Sequence, residues 1–261
     1  MSLDNAQNFV PVFVLVFFRT CGLMLAAPFF GSTKIPKRLK VMLALVMSAG
    51  LVNGVALPRA MPDTPLQMAF GIGGEMVFGL VMGLGMSLVF IAVSWAGEIM
   101  GQQMGLNMAS AFDPQYGQGG SLIGDLYFML ALIIFMAIRG HHAMIDGLAG
   151  SFRALPLLAA GVDQDLFDVF TGLMTGATVL AFKVAAPMLV TMLVVDLSLG
   201  FIGKTMPQIN VMTSGMSLKS GIGIAVLVFG LVLTSDVMRD ALFDSMRTLE
   251  AAWVTAPAGG A

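Results

Sequence analysis

The chain has 261 residues, 57% of them hydrophobic and 11% charged, with a formal net charge of -2. A soluble domain carries about 25% charged residues, so the composition excludes an ordinary soluble protein, and the acidic balance argues against a nucleic-acid partner. The single cysteine, Cys21, excludes an internal disulfide framework, and the length suits one membrane domain of roughly six helices at about 20 residues per span.

The first apolar segment covers residues 9–31. Met1–Asn8 contains Asp4 and no Lys or Arg, and Arg19 interrupts the apolar run. A signal peptide opens on a positively charged region, so this segment reads as a retained first helix. A basic loop comes next at residues 34–40, with Lys34, Lys37, Arg38 and Lys40. The positive-inside rule makes that loop cytoplasmic, and six spans would then put both termini outside. Beyond it lie an apolar segment at 41–57, a Pro-rich turn at 58–65 and a long apolar segment at 66–96. As one helix the last would run about 46 Å, against a hydrocarbon core of about 30 Å. It must tilt strongly, bend into a hairpin or extend beyond the bilayer. Gly71, Gly73, Gly74, Gly79, Gly83 and Gly85 crowd it, which predicts close packing on other helices.

The tract at 97–117 is too polar for lipid. It opens with Gly97, Gly101 and Gly105 and leads to Gly119-Gly120. Small residues at that spacing let a helix backbone press on its neighbour. Irregular backbone flanked by membrane helices survives only under a cover of protein or beside a water-filled cavity. The tract is therefore a candidate pore lining, plug or subunit contact. Met104, Leu106, Met108 and Phe112 supply soft apolar bulk, and hydrophobic constrictions gate by dewetting. Asp113-Pro114 fixes a turn. The candidate closure runs through Met104, Gly105, Leu106, Asn107, Met108, Phe112, Asp113, Pro114 and Gln115, with Gly97 and Gly101 as helix-packing positions; the bland alternative is a connecting loop packed at an interface.

A fourth segment at 122–138 ends at Arg139-Gly140-His141-His142. Asp163, Asp165 and Asp168 mark a helix start, where the dipole favours acids. The segment at 166–203 exceeds a simple span and contains Pro187, a kink signal. Residues 207–219 read as a polar turn before the apolar segment 221–235. Residues 235–253 then carry Met238, Leu242, Met246, Leu249 and Trp253 on one stripe, an amphipathic helix needing a partner face or a membrane surface. Residues 255–261 read as a disordered tail.

Charges within apolar segments are costly and are paired or placed in cavities. Here they are Arg19, Glu75, Glu98, Lys183 and Asp196. Lys183 and Asp196 are about 220° apart around a straight helix, so each needs a partner elsewhere or a bend at Pro187. A proton or ion pathway is one reading; structural ion pairs between helices or subunits are the other. Enzyme signals are poor. His141 and His142 point about 100° apart on a helix, which suits no shared metal, and there is no nucleophile elbow, phosphate-binding Gly loop or H-E-x-x-H. No cofactor, metal or catalytic residue is expected.

Several motifs then carry a resemblance in order along the chain. They are Arg19, Pro28-Phe29-Phe30-Gly31, Ile35-Pro36 and Lys40; Gly97-Glu98-Ile99-Met100-Gly101 and Asp113-Pro114; Gly140-His141-His142, Ser151-Phe152 and Leu155-Pro156; and Pro207-Gln208-Ile209-Asn210-Val211, Gly215 and Leu218-Lys219. Together they resemble the FliR family of flagellar biosynthetic proteins, components of the type III export gate; injectisome relatives share the pattern. Met212, Ser217 and Leu157 depart from it, where the family often has Phe, Pro and Gly.

The resemblance implies an all-α integral membrane protein with long bent helices packed as hairpins, part of a helical multi-subunit gate. It implies one domain over 1–254, FliP-like over about 1–200 and FliQ-like over about 201–254. It implies FliP-type, FliQ-type and FlhB-type partners, unfolded flagellar substrates, and a place in the bacterial inner membrane at the flagellar basal body. The tract after Gly105 matches the family segment that protrudes into the channel and helps close it. Pro207, Gln208, Asn210 and Lys219 match the family's turn. A secondary transporter for small solutes is the rival reading, and it would predict a midplane site between internal repeats.

Overall fold

The computed structural model describes residues 3–28, 30, 36–56, 58, 62, 64–107, 121–158, 164–206 and 211–255. All regular structure among them is helical: α1 (Leu3–Ala26), α2 (Lys37–Leu51) with a 3-10 turn at Val52–Gly54, α3 (Pro65–Gln103), α4 (Leu122–Ala137), α5 (Gly140–Ala154), α6 (Gln164–Thr205) and α7 (Val211–Thr255).

Several boundaries correct the sequence reading. Lys37, Arg38 and Lys40 are the first turn of α2 rather than loop, because Pro36 at ψ 135° fixes an extended entry and the helix starts directly after it. The apolar run to residue 57 is α-helical only to Leu51. Fifteen residues make about 22 Å, short of the hydrocarbon core. Among the described residues four helices are long and apolar enough to cross a membrane, or five if α4 and α5 count as one broken span. That replaces the expected six. The break falls at Arg139, whose φ of 57° is left-handed. Helix α5 is too polar overall to stand out as an apolar segment, although Met144, Leu148 and Phe152 form one buried stripe along it. The polar turn expected at 207–219 is helical over most of its length. Helix α7 begins at Val211 and runs unbroken through Lys219 to Thr255, so Thr213 to Lys219 are helical and the amphipathic stretch 235–253 continues the apolar one. Pro207, Gln208 and Asn210 lie outside the described residues.

The long segments are single helices. Helix α3 has 39 residues, about 58 Å. It starts where the Thr64 hydroxyl accepts the Gln67 N–H at 3.3 Å, with Pro65 as its first residue. Helix α6, with 42 residues, runs through Pro187.

The chain divides into two compact units. One comprises Met1–Leu88, Arg139–Met174 and Leu242–Ala261. Its central crossing is α1 on α3, and it is made by glycine. A Cβ on Gly22 would lie 2.9 Å from the Leu80 nitrogen, one on Gly83 would lie 2.6 Å from the Leu23 carbonyl, and one on Gly79 would strike the Arg19 carbonyl. Backbones this close leave no room for side chains, so dispersion contacts and interhelical hydrogen bonds replace them. The Ser87 hydroxyl adds one such bond to the Ala26 carbonyl.

The second unit comprises Val89–Ile138 and Thr175–Ala241. Its core places Phe90 against Phe128 and Phe135, with ring centroids 5.8 and 5.5 Å apart. Large apolar side chains remain exposed on two of its helices: Val190, Leu193, Val194, Leu197 and Phe201 on α6, and Ile224, Val228, Phe229, Val232 and Leu233 on α7. Such continuous faces require lipid or another subunit.

Candidate functional site

The tract begins at a helix terminus whose geometry is fully defined. The Gly105 N–H donates to the Gln102 carbonyl at 3.0 Å, and the Leu106 N–H to the Gly101 carbonyl at 3.1 Å. Gly105 has φ +77°, a value that strains any residue with a Cβ. This is a Schellman ending, and Gly105 fixes where α3 stops. Asn107 then turns back. A Cβ placed on Gly101 would lie 3.2 Å from Asn107 Oδ1 and 3.0 Å from Ser121 Oγ. Ser121 caps α4, its Oγ accepting the Gly124 N–H at 3.3 Å. The chain therefore leaves at Asn107 and returns at Ser121 over the same glycine. Met108, Phe112, Asp113, Pro114 and Gln115 lie outside the described residues.

One turn earlier, Gly97 sits on α4, where a Cβ would be 2.7 Å from both the Ile123 carbonyl and the Gly124 Cα. Met104 takes a different position from the one its sequence neighbours suggest. It is fully buried, its side chain lying over Gly223 of α7, and its carbonyl accepts the Ser220 hydroxyl at 2.8 Å. Its bulk is committed to the chain's own core, so it anchors the tract rather than projecting from it. Sequence reading missed Ser220 and Gly223; the small-residue run Ser220-Gly221-Ile222-Gly223 was the available signal.

The in-segment charges fall into three groups. Arg19 and Glu75, both fully buried, form an ion pair with Nε–Oε2 at 2.5 Å. The guanidinium also donates through Nη1 to Ser151 Oγ at 3.3 Å and to the Leu155 carbonyl at 3.2 Å. Its carbon lies 4.7 and 4.4 Å from the ring centroids of Phe78 and Phe152, within cation–π range. Glu75 accepts the Leu158 N–H at 2.9 Å, and Leu158 has a left-handed φ of 67°. One buried pair thus ties α1, α3, α5 and the turn after α5, all within the first unit. In the second unit Asp196 of α6 pairs with Lys219 of α7. Asp196 thus finds its partner on the neighbouring helix, the first of the two alternatives left by its spacing from Lys183. Glu98 and Lys183 are exposed and make no ion pair among the described residues. His141 and His142 have ring centroids 4.3 Å apart, and the described residues contain no group of three or more His, Cys, Asp or Glu able to hold a metal.

The family description "bacterial export proteins, family 1" matches residues 10–245. The chain is 28% identical over 250 residues to the flagellar biosynthetic protein FliR of Bacillus subtilis, covering 95% of this chain and 96% of that one. It is 27% identical over 250 residues to FliR of Aquifex aeolicus, with 96% of each chain covered. It is 30% identical over 229 residues to FliR of Pectobacterium carotovorum, covering 87% and 85%. The chain belongs to the FliR family of bacterial export proteins. The matched span takes in helices α2 to α6 whole, most of α1 and α7, and the tract after Gly105. Membership and the long apolar helices together make it a membrane protein of flagellar protein export.

Proposed function

We propose that the chain is a non-enzymatic subunit of the flagellar type III export gate, in the bacterial inner membrane at the basal body. There it assembles with FliP-, FliQ- and FlhB-type proteins around a channel for unfolded flagellar subunits. The observation carrying this reading is the family match, which runs almost from end to end, to relatives named as flagellar biosynthetic proteins. The exposed apolar faces of α6 and α7 support it, since a subunit of an assembly leaves such faces for neighbours. Within the chain, residues 1–200 take the FliP-like role and 201–254 the FliQ-like role.

The tract from Gly105 to Gly120 closes the resting channel. Gly97 and Gly101 hold α3 on α4, Met104 and Gly105 fix the tract's root, and Leu106, Asn107, Met108, Phe112, Asp113, Pro114 and Gln115 form the closure. Support comes from the way the tract departs and returns over Gly101, which lets it act as a discrete projection. Glu98 and Lys183, charged on otherwise apolar exposed helices, meet partner subunits, because charge facing lipid is costly. Pro207, Gln208 and Asn210, which match the family's turn, join the two parts, while Lys219 of the same motif lies within α7.

The assembly reading is tested by purifying the chain in mild detergent with and without FliP- and FliQ-type proteins. Co-purification of a defined complex is expected. A monodisperse, well-folded monomer that ignores both partners would count against the gate.

A further inference from the structure

The contact between the end of α3 and α7 is built differently from the glycine crossing of α1 on α3. Its parts are a flexible side chain, a glycine seat and a hydroxyl with a choice of acceptors. A Cβ on Gly223 would collide with Met104 Cγ and lie 2.9 Å from Cε and 3.0 Å from Sδ. Methionine has the conformational freedom to leave and refill such a seat. Ser220 Oγ lies 2.8 Å from the Met104 carbonyl and 3.0 Å from the carbonyl of Met216 in its own helix. A hydroxyl has one proton, so it donates to one of these at a time. When the link to α3 breaks, the proton turns to Met216, and no donor is left unsatisfied in the membrane. The preceding residue, Lys219, pairs with Asp196 and keeps α7 on α6 meanwhile. The contact can therefore be undone without unfolding either helix.

We propose that Met104, Ser220 and Gly223 form a releasable clasp, and that passage of an export substrate requires α7 to let go of the end of α3. The clasp rests on the reading of the chain as an export-channel subunit, and its residues are positioning residues. The crossings at Gly22, Gly79 and Gly83 offer a contrast. There, backbone meets backbone, and nothing can swing aside.

The test locks the clasp in the assembled complex. In a Cys21→Ala background, Met104→Cys and Gly223→Cys bring two thiols together, since the Gly223 Cβ position is in close contact with the γ atom of residue 104. Diamide oxidises the pair and a thiol reductant restores it. The expected result is a disulfide in nearly all molecules, an unchanged amount of complex, export arrested while oxidised, and export resumed on reduction. Full cross-linking with export at the unlocked rate would overturn the proposal, and so would failure of the disulfide to form in the assembled complex. Arrest accompanied by loss of the complex would reduce the contact to a structural one and also overturn it.

A second arm uses Met104→Cys alone in the same background, with and without Ser220→Ala. Loss of the hydroxyl link is worth about a fivefold shift in a two-state equilibrium, read as an about fivefold faster reaction of the thiol introduced at position 104 with N-ethylmaleimide. An unchanged rate overturns the clasp. The export-channel reading fails separately, if removing the whole chain leaves export intact.

Discussion

Replacing Gly79 by alanine should destabilise the protein, while the same replacement at Gly73, six residues earlier on α3, should stabilise it. Both positions are interior to one helix, so both gain the helix preference of alanine over glycine, about 1 kcal/mol. At Gly73 nothing lies within 4 Å of the new Cβ, and that gain is kept. At Gly79 the Cβ collides with the Arg19 carbonyl oxygen and lies 2.9 Å from the Arg19 carbonyl carbon and 3.0 Å from the Leu23 nitrogen. All three are backbone atoms of α1 and have no rotamer to change. Relief requires α1 to move away, which loosens the buried Arg19–Glu75 pair next to it. Overpacking a tight site costs about 1–3 kcal/mol, and immovable neighbours put this site at the upper end. The net effect is a loss of about 1–2 kcal/mol at Gly79 against a gain of up to about 1 kcal/mol at Gly73. Thermal unfolding of the two variants in the same detergent, followed by circular dichroism, gives the comparison. Equal shifts of the same sign would refute the close crossing of α1 and α3.

Arg19→Met leaves the Glu75 carboxylate buried and alone, and should cost about 3–5 kcal/mol in denaturant unfolding. Adding Glu75→Leu should recover part of that loss; a double variant worse than the single one would contradict the pairing. Lys183→Gln should lower the yield of assembled complex in a pull-down while leaving the variant chain's own melting unchanged. Normal assembly with abolished proton-coupled transport would favour the transporter reading instead.

The helices were legible where apolarity is strong and continuous, whether the side chains are buried or face outward. Residues 66–96 announced α3 through an apolar run with a single charge, Glu75; of the glycines expected to pack closely, Gly71, Gly79 and Gly83 do so and Gly73 meets nothing. Helix α5 was not legible, because His141, His142, Asp146 and Arg153 break its apolar pattern and Met144, Leu148 and Phe152 bury only one stripe. The start of α2 was obscured by a basic run that favours loop by composition, although Pro36 sets the extended entry from which the helix begins. The start of α7 was not legible, since Thr213, Ser214 and Ser217 have turn-forming preferences that the long helix overrides. For the site, spacing in the sequence pointed to Gly97, Gly101 and Gly105. It was silent on the buried place of Met104, because that depends on Ser220 and Gly223, more than a hundred residues away. Asp196 likewise finds Lys219 only once α6 and α7 are side by side.

One deletion tests the closure most directly. Removing Asn107–Gln115 takes out most of the proposed closure while keeping the Schellman ending at Gly105 and the Ser121 cap. The complex should still assemble with its FliP- and FliQ-type partners, and cells carrying it should leak small ions and grow poorly, since an apolar constriction no longer excludes water. An intact complex with no leak and unchanged export would show that the tract only connects α3 to α4.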